Sequence, residues 1–290
     1  MSDANVLVQA KDVLQWQRDV RALVLLDCRF ELSEPEAGAR AHATGHPPGA
    51  IYAHLDRDLS APKGDDPRAP SFTGRHPLPD RARFAATTGA WGIGPDTMVV
   101  TFDAHGLPYA SRAWWMLRWL GHTKVAVLDA GLDAWVAAGG AMTTEPSVPN
   151  PVAPYPMSAQ PAMPTFDAAG LARTLAAVRI VDARGADRFR GENEVLDPFP
   201  GHIPGAANRP FRDNLDATGR FKPAQVLRDE WRPILGDASA ERIVHQCGSG
   251  VTACQNLLAM IHAGWPATAL YAGSWSEWSA DPARARALGN

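Results

Sequence analysis

Cys247 opens the run CGSGVT, directly behind the apolar stretch RIVHQ and directly ahead of TACQNLLAMIHAG, whose apolar spacing predicts a helix. A thiol placed between a strand and a helix start reads as a nucleophile. Gly248 and Gly250 let the backbone curl tightly, so N–H groups of Gly248, Ser249, Gly250, Val251 and Thr252 can turn inward around the sulfur. The helix start adds a partial positive charge, and the two effects together favour a thiolate. The competing role is a small buried cysteine packed beside a glycine turn. Loop, helix start and apolar strand coincide here as they do where thiols are activated, which favours chemistry.

The elements that must hold this loop repeat along the chain. The first half reads ALVLLDCRF, GHPPGAIYAHL, TMVVTFDAHG, SRAWWMLRWLGH and VAVLDAGLDAW. The second reads VRIVDARGADRF, GHIPGAANRPF, RIVHQCGSGV, TACQNLLAMIHAG and ATALYAGSWSEW. Short Val/Ile/Leu strands at Leu23–Asp27, Met98–Phe102 and Val125–Asp129 alternate with helix-like segments, the pattern of a parallel sheet covered on both faces. The fold class is therefore α/β, as two tandem domains. Between them, residues 143–164 contain Pro146, Pro149, Pro151, Pro154, Pro156, Pro161 and Pro164, which prevent a helix and favour an extended strap. This divides the chain into an N-terminal domain over 1–142, a linker over 143–164 and a C-terminal domain over 165–290. In the first half the loop matching CGSGV is DAHGL, with Asp103 near the place of Cys247. Only the second half keeps the thiol, so the first is expected to be an inactive scaffold. Ligands of open α/β sheets bind at the carboxyl ends of the strands, where Cys247 lies.

Composition excludes several function classes. The chain has 290 residues, 46% hydrophobic and 20% charged, with a net charge of -3, and no basic stripe interleaved with aromatics points to nucleic acid. The first residues, MSDANVLVQAKDVLQW, lack the features of a secretory signal, and no apolar run is long enough for a bilayer. Cys28, Cys247 and Cys254 form neither a disulfide framework nor a common zinc pattern, so no metal and a reducing cytoplasm are expected.

Together, the CGSGVT loop, VDAR at Val181–Arg184, GHIPGA ending at Ala206, GHPPGA ending at Ala50 and AGSWSEW ending at Trp278 give the chain its resemblance. It resembles the tandem-domain rhodanese superfamily, nearest to its 3-mercaptopyruvate sulfurtransferases, from about Leu7 to Trp278. Thiosulfate sulfurtransferases of that family usually place basic residues after the cysteine, and Gly248 and Ser249 are neutral. The resemblance implies two similarly folded domains and no cofactor. It also implies attack of Cys247 on the sulfur of 3-mercaptopyruvate, a Cys247 persulfide cradled by the N–H groups of Gly248 to Thr252, and release of pyruvate. The sulfur then passes to a thiol such as thioredoxin or a small thiol, or to cyanide. It further implies a Ser-His-Asp relay in which Ser249 and His76, from TGRHPLP, match the family residues. The acidic member falls in GAIYAHLDRDL, where Asp56 is the nominee and Asp58 the fallback. His54 stands nearest the family position and Asp56 two residues later; if the chain is a strand there, side chains two apart share a face, which makes Asp56 geometrically reasonable.

Two arginines hold the substrate carboxylate in the mercaptopyruvate enzymes. Arg188, in GADRFRG, matches the first. Where the second would stand the chain reads ENEVLDPFP, and its charges are acidic. Arg75, beside His76, and Arg190 are the candidate replacements, each weighed against a plain surface charge. Trp114, Trp115 and Trp119, at helical spacing, are expected in the core, and His46 and His202 in structural turns. Cys254 lies seven residues beyond Cys247. If the intervening chain is mostly helical the sulfurs are about 10 Å apart, too far for a disulfide, so packing is expected. Cysteine phosphatases also begin an anion loop with Cys, but they need an arginine where this chain has Ala253. The remaining alternatives are a thiosulfate sulfurtransferase and a non-catalytic rhodanese-like module, the latter usually lacking its thiol.

Overall fold

The computed structural model describes residues 6–19, 22–64, 66, 69, 71–104 and 106–290; the first five residues and His105 of DAHGL lie outside these. Two five-stranded parallel sheets form. The first contains β1 (Leu7–Val8), β2 (Leu23–Asp27), β3 (Ile51–Tyr52), β4 (Met98–Phe102) and β5 (Val125–Leu128), in the order β1-β5-β4-β2-β3. The second contains β6 (Thr165–Phe166), β7 (Arg179–Asp182), β8 (Ala207–Asn208), β9 (Ile243–Gln246) and β10 (Ala269–Tyr271), in the order β6-β10-β9-β7-β8. Displacing each strand number by five converts one order into the other, so the repeated blocks are a duplicated topology.

The helices that accompany the first sheet are α1 (Ala10–Asp19), α2 (Ala37–Thr44), α3 (Arg81–Ala90), α4 (Pro108–Leu120) and α5 (Gly131–Ala137). Those of the second are α6 (Ala168–Thr174), α7 (Ala186–Arg190), α8 (Ala224–Leu235), α9 (Ala253–His262) and α10 (Ser274–Ala280). Trp114, Trp115 and Trp119 of α4 are buried, as their spacing predicts. The central strands β4 and β9 are buried through their lengths apart from Met98, β9 carrying His245 and Gln246 inside. Among the described residues no helix is long and apolar enough to cross a membrane.

The duplication extends to side chains. In the first unit Arg29 pairs with Asp27 at 2.5 Å and donates to the Gly45 carbonyl at 2.7 Å. In the second, Arg184 of VDAR pairs with Asp182 at 2.6 Å and donates to the Gly201 carbonyl at 2.8 Å. His46 stacks on His42 and His202 on Phe189, each pair with ring centroids 3.8 Å apart, so both histidines are structural parts of the turns after these arginines.

The two compact units are not separated by a single cut. One comprises Met1–Ala61, Pro79–Ala162 and Ala217–Phe221; the other comprises Pro62–Leu78, Met163–Asp216 and Lys222–Asn290. Most of the proline-rich strap belongs to the first unit. Its backbone reaches Gly89 from Val152 at 2.9 Å and Ala85 from Tyr155 at 3.0 Å. The segment 62–78 belongs to the second unit. Gly74, at φ +101, lies so close to Gly273 that a Cβ would come within 2.7 Å of its carbonyl oxygen, and the Arg75 N–H donates to Ser276 Oγ at 3.1 Å. That segment carries two of the residues singled out from sequence, Arg75 and His76.

Two buried histidines make the fold acid-sensitive. Burial drives His122 of the first unit down to about 4, and His245 of the second, packed against Trp231 and Met260, down to about 3. An unfolded histidine titrates near about 6.5, so below that pH the unfolded chain binds protons that the folded chain refuses. Stability is therefore present above about pH 6.5 and is lost as pH falls toward the folded values, by up to about 1.4 kcal/mol per pH unit for each histidine. Urea unfolding at about pH 7.5, 6 and 5 checks this. A midpoint that does not move over that range removes the assignment.

Candidate active site

Cys247 follows β9 directly, and the six-residue loop 247–252 leads into α9. Gly250 is the residue that makes the loop fit. Its φ of +74 is a left-handed conformation that favours glycine, and a Cβ there would run into the backbone of Ala272. With that turn made, the Gly250 N–H donates to Cys247 Sγ at 3.1 Å. The loop is clamped from behind by the start of α10. The Cys247 N–H donates to Ser274 Oγ at 3.1 Å, while the Trp275 and Ser276 N–H groups donate to the carbonyls of Cys247 and Gly248 at 3.0 and 2.9 Å. Both backbone ends of the nucleophile are thus fixed, and its residue is only 2% exposed.

Ser249 is bonded to His76. Its Oγ lies 2.7 Å from His76 Nδ1, and both residues are buried. The histidine comes from the segment 62–78, held in place by the Gly74 and Arg75 contacts described above.

Two guanidinium groups converge on the residue after the cysteine. A Cβ built on Gly248 would lie 2.9 Å from Arg75 Nη2 and 3.4 and 3.5 Å from Arg188 Nη1 and Nη2. The glycine at this position leaves room for both. Arg190, the other candidate, turns to Glu192, pairing with it at 2.6 Å. Arg75 and Arg188 are in turn held by carboxylates that sequence reasoning did not assign. Arg188 makes bonds of 2.8 to 3.1 Å to Glu194, which also pairs with Arg184 at 3.3 Å. Asp197 pairs with Arg75 and lies 3.3 Å from Arg188.

Burial pushes the Glu194 carboxyl upward, but the Arg188 hydrogen bonds, the Leu196 N–H and the charges of Arg188 and Arg184 outweigh it and leave it below the usual range. Asp197 goes the other way: burial raises it, Arg75 draws it down, and the Glu194 charge adds to the rise. The only advance signal of these roles was an acidic run in place of an expected arginine. Ser274 and Ser276 gave none, because their contacts with the loop span more than twenty residues of sequence.

Asp56 lies in the first unit, where its N–H donates to His54 Nδ1 at 3.1 Å; Asp58 accepts the His54 N–H at 2.7 Å. Cys254 corrects one expectation in detail. The helix starts only at Ala253, so the chain between the two thiols is a tight loop and helical rise does not measure their separation. Cys254 is buried and its S–H donates to the Gly250 carbonyl at 3.3 Å, on the same residue whose N–H serves Cys247.

The matching loop of the first unit shows what such a cradle holds. There Asp103 follows β4, and its carboxylate accepts N–H groups of Leu107, Tyr109 and Ala110 at 2.9 to 3.0 Å. One unit fixes a built-in anion at this loop and the other a thiol, so the duplicated turn is suited to negative charge.

The Rhodanese-like domain family matches residues 9–138 and 167–281. A Pseudomonas aeruginosa protein named "Probable 3-mercaptopyruvate sulfurtransferase" is 47% identical over 274 residues, 92% of this chain and 93% of that protein. The thiosulfate sulfurtransferase of Gallus gallus is 35% identical over 281 residues, 94% of this chain and 93% of its own length. Among solved structures, the 3-mercaptopyruvate sulfurtransferase from Leishmania major superposes with a TM-score of 0.83 at 31% identity, covering 95% of this chain and 74% of that one.

Proposed function

This chain belongs to the rhodanese family, and we propose that it is a sulfurtransferase which takes sulfane sulfur from 3-mercaptopyruvate through a Cys247 persulfide. The observation that carries the choice of donor is the pair of guanidinium groups, Arg75 and Arg188, facing Gly248, the residue that follows the nucleophile. A planar guanidinium suits a carboxylate, and two of them next to the nucleophile suit a small keto acid whose thiol must reach Cys247. Arg75 fills the role left vacant where the chain reads ENEVLDPFP. The neutral Gly248 and Ser249 favour this donor over thiosulfate.

The Cys247 thiolate attacks the donor sulfur, an S–S bond forms, the C–S bond breaks, and its electron pair becomes the enolate of pyruvate. The proton of the donor thiol ends on the enolate carbon, and the Ser249–His76 pair carries it. In that relay the aspartate is assigned to Asp56 on the sequence match alone. The N–H groups from Gly248 to Thr252, with Gly250 already on the sulfur, stabilise the persulfide anion. An acceptor thiol, thioredoxin or a small thiol, then attacks the outer sulfur and restores the thiolate; cyanide accepts it in the same way. The site of action is the cytoplasm, the setting in which thiol acceptors are kept reduced.

Incubation with 3-mercaptopyruvate in the absence of acceptor should leave Cys247 heavier by one sulfur atom and release one equivalent of pyruvate. Intact-protein and peptide mass spectrometry, with lactate dehydrogenase to measure pyruvate, read both. Pyruvate release without sulfur on Cys247 would overturn the route.

A further inference from the structure

We infer that Asp197 is a specificity-determining residue, an internal counter-ion between Arg75 and Arg188 that makes the site prefer singly charged sulfur donors over doubly charged ones. This rests on the reading of Arg75 and Arg188 as the donor-binding pair.

The geometry is that of a charge held back. Asp197 is paired through Oδ1 to Arg75 Nη1, and its Oδ2 lies 3.3 Å from Arg188 Nη2. Its side chain is 2% exposed, against 23% for Arg75 and 20% for Arg188, so the carboxylate sits beneath the arginines and they remain reachable. Of the terminal nitrogens nearest Gly248, Arg75 Nη2 and Arg188 Nη1 are not engaged by Asp197, while Arg188 Nη2 is the one that it holds. A cavity of about 150 Å³, lined by Arg75, Asp197, Lys63, Phe72 and Ser276 among others, lies against Arg75 and its counter-ion.

Charge counting gives the consequence. Arg75, Arg184 and Arg188 supply three positive charges, and Asp182, Glu194 and Asp197 supply three negative ones in the same contiguous network. Two arginines without counter-ions would attract a dianion far more strongly than a monoanion, because Coulomb energy scales with ligand charge in a partly buried site. With their charge already compensated, the arginines still offer directed N–H donors to one carboxylate, but the extra charge of a dianion gains little and meets the Asp197 carboxylate. At neutral pH 3-mercaptopyruvate carries its carboxylate charge, whereas thiosulfate carries two charges. Asp197 thus acts through the arginines as a positioning residue, selecting the donor by charge.

The test compares wild type, Asp197→Asn and Asp197→Glu with both donors, and adds calorimetric binding of two non-reacting ions, sulfate and pyruvate, at matched ionic strength. In Asp197→Asn, kcat/KM for thiosulfate relative to mercaptopyruvate is expected to rise about tenfold, equivalent to about 1.4 kcal/mol. The change should sit in KM, with kcat for mercaptopyruvate within about twofold, since no reacting atom is touched. Asp197→Glu, which keeps the charge, should restore the wild-type ratio. Sulfate should bind Asp197→Asn about tenfold more tightly than wild type, with pyruvate moving less. Wild type itself should bind pyruvate more tightly than sulfate, a measurement that needs no variant to fold.

Three results overturn the inference: wild type preferring sulfate, Asp197→Asn losing activity equally with both donors, or a donor ratio and sulfate affinity that do not change. The binding arm does not depend on turnover. A wild-type protein that fails to release pyruvate would therefore remove the reading of 3-mercaptopyruvate as donor while leaving the charge selection to be judged separately.

Discussion

Replacing Cys247 with serine is expected to lower sulfur transfer by at least about 10⁴-fold with every donor while leaving the protein folded. The nucleophile must form a bond to sulfur and then surrender that sulfur to an acceptor. A thiolate does both through S–S exchange; a serine hydroxyl, far less acidic and unable to form a persulfide, does neither. The fold should tolerate the change because the environment remains satisfied. The Gly250 N–H that now serves the sulfur can serve an oxygen, and the Cys247 backbone contacts with Ser274 and Trp275 involve no side-chain atom of the cysteine. The stability change should therefore stay within about 1 kcal/mol.

The other two thiols supply the control. Cys28 lies fully buried in the first unit, where burial pushes its thiol up, with the charges of Asp103, Asp27 and Asp58 adding to the effect. It is kept as a thiol and cannot substitute as nucleophile. Cys254 is committed to the Gly250 carbonyl. Serine at either position should leave persulfide formation in place. Pyruvate release, peptide mass spectrometry and urea unfolding measured on all three variants decide the matter: turnover surviving in Cys247→Ser, or lost equally in Cys28→Ser, would overturn the assignment of the nucleophile.

Central parallel strands proved easy to read and exchanged segments did not. Leu23–Asp27 and Met98–Phe102 appear with the bounds their apolar runs predict, and Val125–Asp129 appears one residue shorter. A strand buried on both faces is a near-continuous apolar run, which leaves a plain mark in sequence. The two-residue edge strands Leu7–Val8, Ile51–Tyr52, Thr165–Phe166 and Ala207–Asn208 are too short to carry any periodicity. The transfer of residues 62–78 to the second unit is equally hidden, because it depends on Gly74 approaching Gly273 and Arg75 reaching Ser276 across two hundred residues of chain.

The site divides along the same line. Cys247, Gly248 and Gly250 are legible because a strand, a turn and a helix start announce them within a dozen residues. The pairing of Ser249 with His76 was reached only through resemblance. The bonding of Glu194 and Asp197 to the arginines escaped notice because an acidic residue near an arginine is, in sequence, indistinguishable from ordinary surface charge.

Substituting His76 by asparagine or Ser249 by alanine should cost about 10²- to 10³-fold in kcat with 3-mercaptopyruvate and less than about threefold with thiosulfate. The difference follows from where protons must go. When mercaptopyruvate gives up its sulfur, the leaving group is a carbanion equivalent, an enolate that becomes pyruvate only after a proton reaches carbon. Thiosulfate leaves as sulfite, with its electron pair on sulfur and no carbon to protonate. A pair whose task is proton delivery is therefore needed for one donor and idle for the other.

The 2.7 Å contact between Ser249 Oγ and His76 Nδ1 provides the connection, and the burial of both groups keeps bulk water from bypassing it. Asparagine can retain a hydrogen bond to Ser249 but cannot exchange a proton near neutral pH, so His76→Asn tests transfer rather than support. Asp56→Asn, measured in the same way, should show the same donor-dependent loss in the role assigned to it. Steady-state rates with both donors at saturating concentration read the outcome. Equal losses with mercaptopyruvate and thiosulfate would mean that Ser249 and His76 hold the loop in shape rather than move a proton, and the relay would have to be abandoned.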